Sequence, residues 1–196
     1  MSRIDPASLM SLEVYARRRD TVRAQMIAHK KLRRAALGPS VSLLFEDEAG
    51  VRYQVQEMLR AERIFEDAEV QAELAAYEGL LPDGQNWKAT MLIEFPEAAE
   101  RRVRLQRLTG IEDRVWARVA GFEPVFAVAN EGMPPPRADK TAAVHFLRFE
   151  LGAQRTRALL DEGATLALGI DHPRYTAALD PVPEALRASL CGDLLP

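Results

Sequence analysis

Two carboxylates four residues apart are the side chains whose type and spacing point most directly to chemistry. Residues 51–66 predict a helix on which Glu62 lies near the centre of an apolar side, with Glu66 one turn further along. A carboxylate taken out of water must find a partner or change its pKa. Together with His145 the pair could bind one divalent metal, because carboxylates and imidazole complete many iron, zinc and manganese sites. The alternative is a buried ion pair between Glu62 and an arginine such as Arg148.

A second group of candidates follows a predicted strand, in the sequence DHPRY at 171–175. Functional side chains are common where a loop leaves a rigid scaffold, so His172 and Tyr175 are candidate ligand-binding residues. No serine or cysteine lies close by in the sequence, and a nucleophilic triad is therefore not predicted. The alternative is a turn that carries an exposed histidine.

The polar faces of three predicted strands offer a third possibility. The segments 87–95, 114–120 and 142–151 alternate apolar and polar residues, as half-buried strands do. Their polar positions could form the floor of a pocket between the Glu62 helix and the sheet, with a tryptophan as an apolar wall and arginines as anion anchors. The alternative is a solvated face with cross-strand ion pairs. The candidate ligand-binding residues on this face are Lys88, Trp116, Arg148 and Glu150.

These residues must be positioned by an α+β fold. A basic helix is predicted within residues 1–36 and strands at 41–47, 87–95, 114–120, 124–130, 142–151 and 165–171. Because the order lacks regular βαβ alternation, we expect a mainly antiparallel sheet of about five or six strands packed against long N-terminal helices. We expect one domain over residues 1–196, with a Pro-rich loop at 131–141 and a weakly structured tail at 177–196 that holds one short helix.

Composition and charge exclude several classes of protein. Hydrophobic residues make up 47 % of the 196-residue chain and charged residues 28 %, as in ordinary globular proteins. The single cysteine excludes an intramolecular disulfide and a cysteine metal cluster. No apolar run is long enough for a signal peptide or a membrane span, so we expect a cytoplasmic protein without a membrane partner.

The net charge of −3 conceals a strong asymmetry along the chain. Residues 1–39 hold nine Lys and Arg against three Asp and Glu, which leaves the remainder acidic. The basic helix could therefore dock on its own body or contact an acidic partner. A nucleic-acid partner is not expected, because no nucleic-acid-binding motif accompanies the basic residues.

Several sequence blocks together resemble a bacterial family of similar length, domain of unknown function 3501. The resemblance extends from about residue 5 to residue 176, and the blocks are AHKKLRRAALG (28–38), LLFEDE (43–48), QEMLRAERIFE (56–66), PDGQNWKATMLIEFP (82–96), VHFLRFEL (144–151) and GIDHPRY (169–175). The family supplies no accepted activity and no catalytic residues. Its genes often lie beside rubrerythrin-like proteins and heterodisulfide-reductase-like iron–sulfur proteins, so the resemblance implies a redox or oxidative-stress setting in the cytoplasm.

Three functions are compatible with these observations. The leading hypothesis is an accessory protein that binds a ligand or a divalent metal and works with iron–sulfur or rubrerythrin-like redox partners. The first alternative is an enzyme that uses a glutamate and a histidine as acid and base on a small anionic substrate. The second alternative is an interaction module that acts through its basic N-terminal helix. The sequence does not specify the ligand, and whether the protein is an enzyme stays open.

Overall fold

The computed structural model describes residues 4–133, 140–161 and 163–195 and confirms the α+β fold class. Residues 134–139 of the predicted Pro-rich loop lie outside the described residues. The helices are α1 (Leu12–Leu32), α2 (Glu48–Glu62), α3 (Asp67–Tyr77), α4 (Ala98–Arg107), α5 (Gly152–Leu160) and α6 (Glu184–Cys191). The strands are β1 (Arg34–Leu37), β2 (Val41–Glu46), β3 (Asn86–Ile93), β4 (Val115–Val119), β5 (Val125–Phe126), β6 (Val128–Ala129), β7 (Val144–Glu150), β8 (Leu166–His172) and β9 (Tyr175–Leu179).

The strands divide between two antiparallel sheets, where the sequence suggested one. Sheet A has the order β1-β2-β3-β7-β6, and sheet B has the order β5-β4-β8-β9. The predicted strand 124–130 is the reason for the division, because its first half pairs with β4 and its second half with β7. Ala127 lies between the halves and donates its N–H to the carbonyl of Val115 over 2.8 Å.

The apolar faces of both sheets meet in one core. Alternation of side chains along each strand places one set on the inner face and the other on the outer face. The inner set is almost fully buried, and it includes Leu43, Phe45, Trp87, Met91 and Phe149 of sheet A together with Val115, Ala117, Leu168 and Ile170 of sheet B. The polar residues of β3 and β7 other than His145 are therefore left on the outer face of sheet A.

Helices α1, α2 and α3 contribute to a second, smaller apolar cluster. It is formed by Ile4, Val51, Val55, Leu59, Leu74 and Leu81. The hydroxyl of the buried Tyr15 donates to Glu57, and Arg19 donates to both oxygens of the same carboxylate over 2.8 and 2.7 Å, so α1 is fastened to α2. Burial and the contact with Glu57 raise the pKa of Tyr15 well above its ordinary value. None of the helices within the described ranges has the length and apolarity that a membrane span requires.

Helix α2 ends earlier than the sequence predicts. Its last residue is Glu62, and Arg63 follows in the left-handed conformation with φ of 57°. This left-handed residue changes the direction of the chain. Phe65 is consequently 71 % exposed, and Glu66 occupies the N-cap position of α3. The prediction of one helix through residue 66 is wrong, because the apolar residues after Glu62 do not continue the buried side of α2.

The prediction of a weakly structured tail at 177–196 is also wrong. Helix α6 and its flanking segments bury four apolar side chains in the main core, Val182, Leu186, Leu190 and Leu194. Arg33, which follows the last residue of α1, is 2 % exposed and contacts Asp193 and Ser189. A buried arginine needs such partners, and Arg33 therefore holds the C-terminal segment against the start of sheet A.

Candidate functional site

A large cavity lies over the outer face of sheet A. Its volume is about 740 Å³, and it is bounded by β2, β3, β7, the end of α3 with the turn that follows, and the residues after β6. We call it the sheet A cavity. Its charged and polar lining residues are Glu46, Asp83, Asn86, Lys88, Glu131, Arg148 and Glu150. Its apolar lining includes Tyr77, Leu80, Val128, Met133 and Phe146.

The strand register places Lys88 at the centre of the cavity floor. Glu46 on β2 pairs with Lys88 on β3, and Lys88 pairs with Arg148 on β7. Residues directly opposite each other on antiparallel strands carry their side chains on the same face, about 5 Å apart at Cβ. The three charged side chains therefore form one row across the outer face of sheet A.

Arg148 is held by two carboxylates. Its Nε and Nη2 donate to the two oxygens of Glu131 over 2.6 and 2.8 Å, and its Nη1 donates to Glu150. Asn86 Nδ2 also donates to Glu150 Oε1 over 3.0 Å. The hydrogen bonds that Arg148 donates to Glu131 raise the pKa of Arg148 and lower the pKa of Glu131. The guanidinium thus has its charge balanced inside the protein.

Lys88 differs from its neighbour. Its ammonium group is partly buried and has no hydrogen bond or ion pair with any residue in the described ranges. Burial lowers the pKa of Lys88, and the positive charge of Arg148 lowers it further. The carboxylates of Glu131, Asp83 and Glu150 act in the opposite direction. Lys88 is therefore a donor inside the cavity that makes no hydrogen bond to the described residues.

Glu46 lies at the β2 end of the row that it forms with Lys88 and Arg148. It is only 4 % exposed, and its two oxygens accept from Thr90 Oγ1 over 2.7 Å and from Gln54 Nε2 over 3.2 Å. Both of these donors are neutral, and no described cation donates a hydrogen bond to this carboxylate. The described lining residues include four carboxylates and two cations, and this balance disfavours an anionic ligand.

The structure brings three of the predicted ligand-binding residues together. Lys88, Arg148 and Glu150 all line the sheet A cavity. Trp116 is on the outer face of sheet B instead, where its ring fills the space left by Gly169 on β8. A Cβ on that glycine would lie 2.2 Å from the ring. The sequence could not separate the two outer faces, because strands of both sheets show the same alternation.

The structure does not assemble the predicted metal site. Glu62 and Glu66 are exposed at a helix end and a helix start, and neither lines the sheet A cavity. His145 is 1 % exposed on the inner side of sheet A. Across the part of the chain that is described, no group of three or more His, Cys, Asp or Glu side chains could hold a metal ion. The ion pair considered between Glu62 and Arg148 is also absent, because Arg148 is paired with Glu131 and Glu150.

His145 belongs to a closed network that we call the His145 cluster. Its other members are Glu112, Thr141 and Asn130. Asn130 Nδ2 lies 2.9 Å from Nδ1 of the histidine, and Thr141 Oγ1 lies 2.8 Å from Nε2. Thr141 Oγ1 also donates to Glu112 Oε2 over 3.0 Å.

The hydrogen bonds assign the protons of this cluster. Asn130 Oδ1 accepts from the N–H of Phe146 over 3.1 Å, so the amide nitrogen of Asn130 is the group that faces the histidine. Nδ1 of the imidazole must then accept, and Nε2 carries the proton, which faces Thr141 Oγ1 and the Ala142 carbonyl at 3.0 Å. Each buried polar group is satisfied, which is typical of a structural network.

His172 and Tyr175 also have their hydrogen bonds inside the fold. His172 is 7 % exposed, with Nε2 3.3 Å from the Thr109 carbonyl and Nδ1 accepting from the Arg174 N–H over 3.2 Å. Tyr175 donates its hydroxyl hydrogen to the Leu37 carbonyl over 2.6 Å, and β8 and β9 form a hairpin around these residues. Neither residue lines the sheet A cavity. The alternative of an exposed histidine is wrong, because His172 is buried and its ring contacts the backbone at Thr109.

Sequence reasoning missed four polar residues of the cavity, Glu46, Asp83, Asn86 and Glu131. The position of Glu46 could have been predicted, because alternation in VSLLFE places it on the face of the strand away from Val41, Leu43 and Phe45. The others lie in or beside turns, where no periodicity indicates the direction of a side chain.

Fold and site together define an α+β protein with two packed antiparallel sheets and an open cavity on the outer face of one of them. The chain belongs to the family described as "Protein of unknown function (DUF3501)", whose model matches residues 3–194, so the predicted resemblance is confirmed. It is similar to a solved structure described as the crystal structure of a novel protein of unknown function from Burkholderia pseudomallei K96243 at 1.90 Å resolution. The two chains are 49 % identical over 99 % of this chain and 100 % of that chain, with a TM-score of 0.88. No curated protein matches the chain.

Proposed function

We propose that the protein binds a small, uncharged molecule in the sheet A cavity through a carbonyl oxygen that accepts a hydrogen bond from Lys88. The observation that carries this proposal is the contrast between two neighbouring cations. Arg148 is saturated by Glu131 and Glu150, whereas the Lys88 ammonium has no partner among the residues described. A partly buried donor gains stability from an acceptor that enters the cavity.

The rest of the lining indicates what the ligand is like. Tyr77, Leu80 and Phe146 offer apolar surface beside the polar row, so the ligand has an apolar part next to its carbonyl group. The excess of carboxylates makes a neutral acceptor preferable to a carboxylate. This differs from the small anionic substrate that the sequence suggested for an enzyme.

Hexanamide is a suitable probe, because it combines a neutral carbonyl oxygen with a short apolar chain. Isothermal titration calorimetry should show saturable binding at millimolar concentration, and hexanoate should bind more weakly. Lys88→Met removes the donor, and because a hydrogen bond to a charged group is worth about 1.5 kcal/mol or more, the affinity should fall about tenfold or more. Lys31→Met replaces an exposed lysine of α1 and should leave the affinity unchanged.

Two results would contradict the proposal. One is the lack of saturable hexanamide binding by a folded wild-type protein. The other is equal binding by the Lys88→Met and Lys31→Met variants, which would separate the ligand from the Lys88 amine. Thermal melts of both variants show whether each protein is folded under the conditions of the titration.

The expected redox partners remain part of the proposal. Iron–sulfur or rubrerythrin-like proteins follow from the gene neighbourhoods of the family, and a ligand-binding accessory protein is compatible with such a setting. Affinity purification from a host cell, with and without Lys88→Met, tests this association. Recovery of neither class of protein with the wild-type chain would count against it.

The two alternative functions have less support from the geometry. A Glu62–histidine acid–base pair is not formed, because Glu62 is exposed while His145 and His172 are buried with other partners. Arg19 of the basic helix and Arg33, which follows its last residue, both make contacts within the protein. The interaction module stays a prediction, and a pull-down that is unaffected by Arg17→Glu together with Arg18→Glu would contradict it.

A further inference from the structure

We propose that the amine of Lys88 forms an imine with an aldehyde or ketone that occupies the sheet A cavity. This inference rests on the ligand-binding function proposed above and specifies its substrate class. Lysine amines react with carbonyl carbons when they are neutral, accessible and removed from bulk water. Three observations on Lys88 support this proposal.

First, the amine is available. It lies in the floor of a cavity of about 740 Å³ and is engaged by no other residue of the described chain. Arg148 lies beside it in the strand register, and its guanidinium is engaged by Glu131 and Glu150. An entering carbonyl group therefore meets the amine without displacing an existing contact.

Second, two features of the surroundings favour the neutral amine. Partial burial and the adjacent Arg148 both lower the pKa of Lys88, against the opposite effect of the Glu131, Asp83 and Glu150 carboxylates. Desolvation and a neighbouring cation are the conditions that activate lysine nucleophiles. The charged or titratable groups that line the cavity around Lys88 are Glu46 on β2, Tyr77 on α3, Asp83 before β3, Glu131 after β6, and Arg148 and Glu150 on β7.

Third, lysine is rare in this chain. The sequence contains 22 arginines and only four lysines, at positions 30, 31, 88 and 140. Arginine would supply a permanent positive charge and a bidentate donor, whereas lysine can lose its proton and react. Lys88 therefore differs chemically from Arg148 beside it, because its amine can act as a nucleophile as well as carry a positive charge.

The reaction is balanced without a further reagent. The nitrogen lone pair attacks the carbonyl carbon, a C–N bond forms, and the carbonyl oxygen takes up a proton to give the carbinolamine. The C–O bond then breaks, and the oxygen leaves as water with both hydrogens of the neutral amine. The product is an imine, and hydrolysis reverses the reaction, so no oxidant or reductant takes part.

The test uses hexanal with sodium cyanoborohydride, which reduces an imine to a stable secondary amine. Intact mass spectrometry should show one added hexyl group, and peptide mapping should place it on Lys88 at least tenfold in excess over the other three lysines. Lys88→Met and Lys88→Arg should lose this adduct, while Lys31→Met should keep it. An even distribution over the four lysines, or an equal yield with Lys88→Met, would overturn the proposal.

The two proposals fail in different ways. Hexanamide binding without a hexanal adduct on Lys88 would leave the binding function intact and reject the imine. Failure of both probes with folded protein would reject both. The pH profile of trapping adds a readout that depends on the amine itself. Trapping should reach its plateau at lower pH than with Nα-acetyl-lysine, and Arg148→Met should move the profile to higher pH, whereas Arg118→Met on the outer face of sheet B should not.

Discussion

The two faces of sheet A carry polar groups that differ in burial and in hydrogen bonding. His145 and Arg148 lie three residues apart on β7, so alternation sends one side chain to the inner face and the other to the outer face. In the His145 cluster each described member has its hydrogen bonds, and the histidine is 1 % exposed. On the outer face Arg148 is satisfied, but Lys88 beside it has no hydrogen-bond partner in the described part of the chain. Burial and complete hydrogen bonding are typical of a structural group, whereas the donor in the open cavity is the basis of the proposed binding site.

The largest effect is expected in the His145 cluster, from the change Thr141→Val. It removes the hydroxyl that donates to the buried Glu112 carboxylate, and an unsatisfied buried group costs about 2–3 kcal/mol when it is charged. Urea denaturation should show this loss, whereas Thr141→Ser keeps the hydroxyl and should lose much less. Equal stability of the two variants would contradict the structural role of the cluster.

A smaller effect is expected on the outer face from Arg148→Met, about 1 kcal/mol at most, because Glu131 and Glu150 are partly in water. The ion pair lowers the pKa of Glu131 in the folded protein, so its contribution is present above the ordinary glutamate pKa of about 4 and is lost as the pH falls through the folded value. Wild type and variant should therefore converge in stability on acidification, measured by thermal melts from neutral to acidic pH. A difference that persists at the lowest pH would assign the effect to packing.

Lys88→Met should leave stability unchanged or raise it, in contrast to Thr141→Val. Burial lowers the pKa of Lys88, so the folded state binds this proton less well than the unfolded state and stability rises with pH through the window between the two pKa values. Removing the ammonium removes that penalty, and the melting temperature should rise by up to about 4 °C. A clear loss of stability would indicate that Lys88 supports the fold.

The smallest effects are expected at Glu62 and Glu66. Both are exposed at helix ends, so Glu62→Gln and Glu66→Gln should each change stability by less than about 0.5 kcal/mol. Hexanamide affinity should also be unchanged. A large loss of binding in either variant would restore the site that the sequence suggested and move it away from the sheet A cavity.

Part of the candidate site could be predicted from the sequence. Alternation correctly assigned Lys88, Arg148 and Glu150 to one polar face, because the side-chain period of a strand is a local property. Trp116 has the same local pattern but belongs to sheet B. Which strands are neighbours depends on pairing between distant segments, and periodicity does not contain that information.

The same limit explains the errors in the helices and the tail. Glu62 lies on the apolar side of a helical wheel, but the helix ends at that residue because Arg63 adopts a left-handed conformation. The segment after residue 177 shows little periodicity in its sequence. Its Leu186 and Leu190 nevertheless pack in the main core, and its Asp193 pairs with Arg33. Burial is decided by the partner surface as well as by the segment itself.

By itself the sequence determined the α+β class, most of the strands, the basic first helix and the membership of the family. These follow from local periodicity, composition and similarity. Only the tertiary structure decided that the strands form two sheets, that Glu46, Lys88 and Arg148 stand in one row, and that His145 is enclosed. The physical reason is that hydrogen-bond satisfaction and desolvation depend on residues far apart in the chain, and these two quantities distinguish the Lys88 amine from the enclosed His145 imidazole.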